Sequence, residues 1–261
     1  MKIGLKLWST NEFYKAPAND LFSRGLIDFI ELMVVRYSFE RFGGLWKDIS
    51  IPYGLHAPHS YAGLNFSLPE KEKENIAACH DVVRYAELLV AEYVVFHPGI
   101  IGVETETIRQ IKVCQKLFPS IFRNALIENK PQFGLKGEKC LGASPLEIKI
   151  IQEQTGIGFC LDVSHACCYA ASANRNWKEI IEQFVELKPE IIHFSDGHSD
   201  SIIDEHLHLG YGDYDIVWLK EIVGQNNYVV IETDKNYPDR LDDFVNDVVV
   251  LDPNRVKKTH K

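Results

Sequence analysis

Eight short runs rich in Val, Ile and Phe recur along the chain, and each ends in a polar or turn residue: Ile3–Trp8, Phe29–Val35, Tyr53–Ala57, Tyr93–His97, Ala125–Glu128, Gly158–Asp162, Ile191–Ser195 and Tyr228–Glu232. About 20 to 40 residues separate them, which is room for one helix and its loops. Helical patterns fill the gaps. Glu72–Ala91 places Ile76, Val82, Val83, Ala86 and Leu89 on one broad face, and Trp177–Leu187 and Ile216–Val223 read as further amphipathic helices. Pro145–Thr155 has Ser144 as N-cap, Pro145 at the first helical position and Glu147 at the third, and it ends at Gly156. The predicted helix between the first two strands, around Asp20–Gly25, is short.

Strand–helix alternation repeated eight times predicts an α/β chain that closes into a single (β/α)8 TIM barrel, a parallel sheet with helices outside. An open doubly wound sheet would usually carry a Gly-rich phosphate turn after its first strand, and IGLKLWST has none. No linker, low-complexity tract or composition shift divides residues 1–261, so one domain is expected. Lys and Arg total 28 against 37 Asp and Glu, a formal charge of −9, so no basic nucleic-acid surface is written into the whole-chain charge. Apolar stretches such as Leu26–Val35 and Leu88–Phe96 are far shorter than the roughly 20 residues a bilayer requires, so no membrane partner is expected. The opening MKIGLKLWSTNE carries no cleavage site, and the six cysteines form no C-x-x-C pair. Reduced thiols and a cytoplasmic protein are the expectation. Cys167 and Cys168 follow His165 closely but lie in an Ala-rich helical run, where a packing role is expected.

The residues that close the strands are the informative ones. HAPH ends the third strand, FHPG the fourth, IEN the fifth, LDVSH the sixth, IHFSD the seventh and IETD the eighth, and a loop after the seventh reads DEHLHLG. In a parallel barrel all strand C-termini lie at one rim, where the active sites of this fold are built. His56, His97, Glu128, Asp162, His165, His193, Asp204, His206 and Glu232 would then meet in one pocket. Imidazoles mixed with carboxylates are the donors that divalent zinc or manganese prefers, and so many carboxylates would repel one another without cations. Taken singly, each has a plainer reading: a hydrogen-bonded core histidine, a salt-bridged strand end, or an Asp162 that only caps a helix. His59 competes with His56 for the third-strand ligand position, and His208 is a candidate substrate contact. His198 is a second-tier candidate, whereas His80 and His260 fall in a helix and a tail. Gly210–Asp215 is Gly-rich and expected only to shape its loop.

The ordered motifs HAP, FHPG, IEN, LDVSH, IHFSD, DEHLHLGYGD and IETD span residues 56 to 234 and resemble the xylose isomerase-like TIM-barrel superfamily. That superfamily contains both endonuclease IV (AP endonuclease family 2) and sugar phosphate isomerases and epimerases. Resemblance to the endonuclease IV branch implies three zinc ions. One would be held by His56, His97 and a bridging Glu128, a second by Glu128, Asp162, His193 and Glu232, and a third by His165, Asp204 and His206. It implies a metal-dependent hydrolase acting on abasic DNA or another phosphodiester, with a metal-activated water attacking phosphorus. The isomerase branch implies one divalent ion, with manganese or magnesium as alternatives to zinc, held by Glu128, Asp162, His193 and Glu232. There Glu128 and Glu232 would serve as paired acid and base, with His165 touching the sugar. His56, His97, Asp204 and His206 have no obvious work in that scheme and favour the three-metal reading.

Other features pull the opposite way. The first strand, IGLKLWS, lacks the His-containing, Gly-rich motif usual among endonuclease IV relatives. Arg36, Arg41 and Lys47 with Tyr37, Phe39 and Trp46 could line a DNA groove but suit a helix face with one aromatic seam. Lys130, Lys136 and Lys139 could bind a substrate phosphate or be a solvated loop, and a small phosphorylated or sugar-like substrate stays open beside DNA. A metal-storing or regulatory binding protein without turnover is the remaining possibility, less favoured because an open, mixed donor set suits a catalytic metal.

Overall fold

The computed structural model describes residues 1–224 and 228–257. Its eight strands are β1 (Lys2–Trp8), β2 (Phe29–Met33), β3 (Tyr53–His56), β4 (Val94–Phe96), β5 (Ala125–Glu128), β6 (Gly158–Asp162), β7 (Ile191–Phe194) and β8 (Tyr228–Ile231). They pair in sequence order, all parallel, and β8 closes on β1 with Leu5 opposite Ile231. The helix Pro145–Thr155 has the expected bounds and a complete capping box: the Glu147 backbone N–H donates to Ser144 Oγ, and the Ser144 N–H donates to Glu147. Its C-cap, Gly156, adopts the left-handed φ of +70° that a terminating glycine permits. Between β1 and β2 the helix runs over Lys15–Ser23, so it starts earlier than the sequence pattern placed it. No helix among the described residues is long and apolar enough to cross a membrane.

Period-two alternation explains where the chemistry sits. Phe29, Tyr93, Val95, Leu126, Cys160, Ile191 and Val230 form an apolar cluster separate from the larger one under the helices. Gly4 and Gly54 make room for its rings. A Cβ at Gly4 would lie 2.4 Å from the Phe29 ring, and one at Gly54 would lie 2.2 Å from the Tyr93 ring. Two residues further along each strand, on the same inward face, stands a polar side chain. The pairs are Gly4 and Lys6, Phe29 and Glu31, Gly54 and His56, Val95 and His97, Leu126 and Glu128, Cys160 and Asp162, Ile191 and His193, Val230 and Glu232. The barrel is therefore filled by an apolar lower layer, and a polar layer caps it at the C-terminal rim.

The remaining sequence candidates fall into plain structural places. Cys167 and Cys168 are buried in the helix Val163–Ser172, and burial pushes both thiols up. Trp46 is fully buried, with its indole N–H donating to the Ser9 carbonyl, so the aromatic seam of Phe39–Lys47 faces the core. Arg36 is paired with Asp81 at 2.7 Å and is answered within the chain, whereas Arg41 is exposed and lies 3.5 Å from Glu12.

Candidate metal centre

The nine expected metal ligands gather at the C-terminal rim of the barrel, beneath and around one cavity. His97, Glu128 and His165 line its buried floor, and His56, Asp162 and His193 are buried against them. Asp204, His206 and Glu232 close its outer side, and His59 and Lys130 line the cleft above. His208 is not among the residues that line the cavity. Its Nδ1–H donates to Asp247 at 2.8 Å, and Asn236 donates to its Nε2 at 2.9 Å, so both ring nitrogens are engaged within the chain. The buried carboxylate of Asp247, on the helix Asp242–Leu251, captures that ring. His198 is half-exposed and paired with Glu205.

Glu128 sits at the centre. Its Oε2 lies 2.8 Å from His56 Nε2, 3.2 Å from His97 Nε2 and 3.5 Å from His193 Nδ1, while its Oε1 lies 3.1 Å from His165 Nδ1. Burial alone would raise this carboxyl. The surrounding imidazoles, His97 and His193 first, outweigh it and hold Glu128 well below the ordinary range. Asp162, His193 and Glu232 form a second group, with ligand atoms within 4.8 Å of one another. Asp162 does cap its helix, accepting the His165 N–H at 2.7 Å, yet it belongs to the cluster as well. Asn129 fixes that strand end by accepting the Asp162 N–H at 2.7 Å and donating to the Asp162 carbonyl at 2.9 Å.

The outer group hangs on a loop. Asp196 and Leu207 form a two-way backbone pair, and the Asp196 carboxylate accepts the N–H groups of Gly197, Gly210, Gly212 and Tyr214. The loop is thereby held tightly enough to keep His206 at a φ of +47°, a conformation costly for a residue with a Cβ. Asp204 Oδ2 then lies 3.2 Å from His165 Nε2 and 2.9 Å from His206 Nε2.

The hydrogen bonds on the far side of the rings test whether a metal fits. His56, His165 and His206 each donate Nδ1–H to a backbone carbonyl (Ala57, Asn129 and Glu232, at 2.7, 2.8 and 2.8 Å). In its neutral form each ring therefore aims an Nε2 lone pair at a carboxylate oxygen, an arrangement that repels unless a cation or a proton stands between. His193 does the same with reversed nitrogens: Nε2–H faces Glu31 at 3.0 Å, so in the neutral ring Nδ1 carries the lone pair. Among the described residues, the buried side-chain polar atoms without a hydrogen-bond partner are His59 Nε2, His193 Nδ1 and Asp204 Oδ1, all at this centre. Donors bound tetrahedrally to one zinc lie roughly 3.4 Å apart. The pairs around Glu128 and Asp204 span 2.8 to 3.5 Å, so the residues fit the group.

Sequence reading missed Lys6 and Glu31. Lys6 Nζ lies 2.7 Å from Glu31 and 3.3 Å from Glu232, and Glu31 also accepts the Tyr93 hydroxyl at 2.8 Å. Burial would raise Glu31, but His193 and Lys6 bring it down to about 2. Glu31 thus orients His193 through its Nε2–H, the usual support for a metal-binding imidazole.

A pH dependence follows. Burial lowers the affinity of His165 and His206 for protons, yet the nearby carboxylates (Asp162 foremost for His165, Asp204 for His206) outweigh it and push them up to about 10 and about 9. Both rings are therefore charged at neutral pH in the protein alone, and a metal entering between them must expel two protons. Zinc affinity at that position should rise about 100-fold per pH unit between pH 6.5 and 8 and level off above pH 10. Zinc titrations in buffers of different ionisation enthalpy read the protons released. A release near zero would show that the two imidazoles carry no proton to displace.

No curated protein matches the chain. Among solved structures, endonuclease IV from Thermus thermophilus superposes with a TM-score of 0.70 at 20% identity, over 99% of this chain and 100% of that one. A D-tagatose 3-epimerase-like protein gives 0.69 at 19% identity, over 100% and 98%. The IOLI protein, solved with a bound zinc atom, gives 0.66 at 15% identity, over 99% and 98%. At such identities the likeness is one of fold. The family model described as xylose isomerase-like TIM barrel matches residues 24–248, and since those residues include seven of the eight strands, the chain belongs to that family.

Proposed function

We propose that the chain is a zinc-dependent phosphoester hydrolase whose centre takes up to three divalent ions and acts on a phosphodiester, abasic DNA among the substrates to be tried. The observation that carries this reading is the Asp204 oxygen between His165 and His206, a third donor set that a single-metal isomerase does not need. Bound ions would supply Lewis acidity to a phosphoryl oxygen and lower the pKa of a water. The chain's own residues do the rest. Lys130 lines the same cleft as Glu128 and His165, placed for a phosphate oxygen. Ile100, Phe133 and Ile203 give that cleft apolar walls, suited to the organic part of the ester.

A sugar (phosphate) isomerase or epimerase is the second reading. It is favoured by Glu128 and Glu232 flanking the same His193 nitrogen at 3.5 and 3.0 Å, two carboxylates beside one metal position. His206→Ala separates the two readings. As a hydrolase, the zinc-loaded variant should lose about 10²-fold or more of its activity on bis(p-nitrophenyl) phosphate and on abasic DNA. As an isomerase, the variant should keep its turnover of ketoses and aldoses, and Glu232→Gln should abolish it. Elemental analysis near three ions per chain accompanies the first outcome and near one the second.

A further inference from the structure

His59 is unexplained by any of the donor sets above. The residue is half-buried, but its Nε2 is sealed from solvent and has no hydrogen-bond partner. An imidazole nitrogen in that state loses its water and gains nothing in return, unless it faces a ligand. What it faces is two more imidazoles. The His59 ring centroid lies 5.4 Å from that of His56 and 4.7 Å from that of His97, and those two are 4.8 Å apart. Nitrogens of all three lie within 4.8 Å of one another. His56 has spent its only N–H on the Ala57 carbonyl, so it offers the group a lone pair and no proton.

The backbone holds His59 in this position. Pro58 restricts the residue before it, and the His59 carbonyl accepts the N–H of Ala62 at 2.8 Å and that of Leu64 at 3.4 Å. The ring stands where the two rim clefts meet, since His59, His206 and Glu232 line both. From these contacts we infer that His59 is a fourth ligand of the first metal position, completing a donor set of His56, His59, His97 and Glu128. This rests on the reading of the rim as a metal centre and adds a residue to it.

The consequence is chemical. Three neutral imidazoles and one carboxylate make a full tetrahedral set, which suits zinc or cobalt(II) and disfavours magnesium and calcium. A position closed by four protein ligands anchors its ion. Substrate is then left to the second and third positions, whose carboxylates and outer loop face the clefts.

The test uses the whole chain with zinc and cobalt(II). Wild-type protein stripped by chelator and reloaded is compared with His59→Ala and His59→Gln by elemental analysis, by competition with a chromophoric chelator, and by the visible absorption of the cobalt form. Both variants should lose at least tenfold in affinity for one ion, and the intense absorption of four-coordinate cobalt should weaken. In protein labelled at histidine with 15N, the His59 ring signal should shift when zinc is added. Thermal unfolding without metal should match wild type, which excludes a folding defect. If the wild type loads metal and the variants match it in stoichiometry, affinity and spectrum, His59 is no ligand. If the wild type loads no metal, the metal-centre reading itself fails, and the two failures are thus distinct.

Discussion

Glu128→Gln should remove at least one metal ion per chain and lower phosphoester turnover by about 10³-fold, a loss of roughly 4 kcal/mol in transition-state stabilisation. The substitution keeps size and shape, so the cavity does not collapse. It removes the one charge that faces His56, His97, His165 and His193 together. An amide oxygen is a poor ligand for a borderline metal, and the amide N–H groups would point at nitrogen lone pairs or at the ion itself. Glu31→Gln is the informative comparison, because Glu31 touches only the far nitrogen of His193 within the proposed ligand set. It should cost about 10- to 100-fold in zinc affinity and leave the number of ions unchanged at saturating zinc. Elemental analysis and turnover of bis(p-nitrophenyl) phosphate check both. Equal metal content in Glu128→Gln and wild type would remove Glu128 from the centre of the site.

The strands, the helix with its capping box and the nine converging donors were legible because each rests on a local rule. Val-, Ile- and Phe-rich runs mark strands, Ser-Pro-x-Glu marks a helix start, and the barrel sends every strand's end to one rim. Lys6 and Glu31 were missed for a reason that is itself legible in the sequence. The donors above close a strand or lie in a loop, whereas these two sit in mid-strand, in LKL and IEL. A single charged residue inside a buried apolar strand violates the pattern expected of parallel sheets. It needs a partner, and each of these supplies the other's. The contact that His208 makes was hidden for another reason. Its partner, Asp247, lies 39 residues away on a helix, and no spacing rule connects the two. His206 was identified by type, but the strained φ that aims it depends on Asp196 gathering four backbone N–H groups, an arrangement that only the folded loop shows.

The second large effect is on stability and concerns the pair the sequence reading passed over. Lys6→Met should destabilise the metal-free protein by about 3–5 kcal/mol, as expected when one partner of a buried ion pair is removed. For a chain of this length that is a fall in Tm of about 10 °C. Glu31 has no solvent exposure and would keep only Tyr93 and His193 as partners, and Glu232 would lose its ammonium at 3.3 Å. Lys6 cannot lessen the effect by having been neutral in the first place. Burial lowers its pKa, but Glu232 and Glu31 more than compensate and hold it charged at every practical pH. The double variant Lys6→Met/Glu31→Gln should be less destabilised than the two single variants summed, by about 1–3 kcal/mol, because it removes both charges at once. Zinc should restore more stability to Lys6→Met than to wild type, since in wild type the ammonium and an incoming cation compete for the same Glu232 oxygen. Thermal unfolding of the three variants, with chelator and with zinc, reads all of these terms. If Lys6→Met lies within 2 to 3 °C of wild type under chelation, the ammonium is not what lets Glu31 stay ionised in the barrel. The orientation of His193 would then have to rest on Tyr93 and the imidazole proton alone.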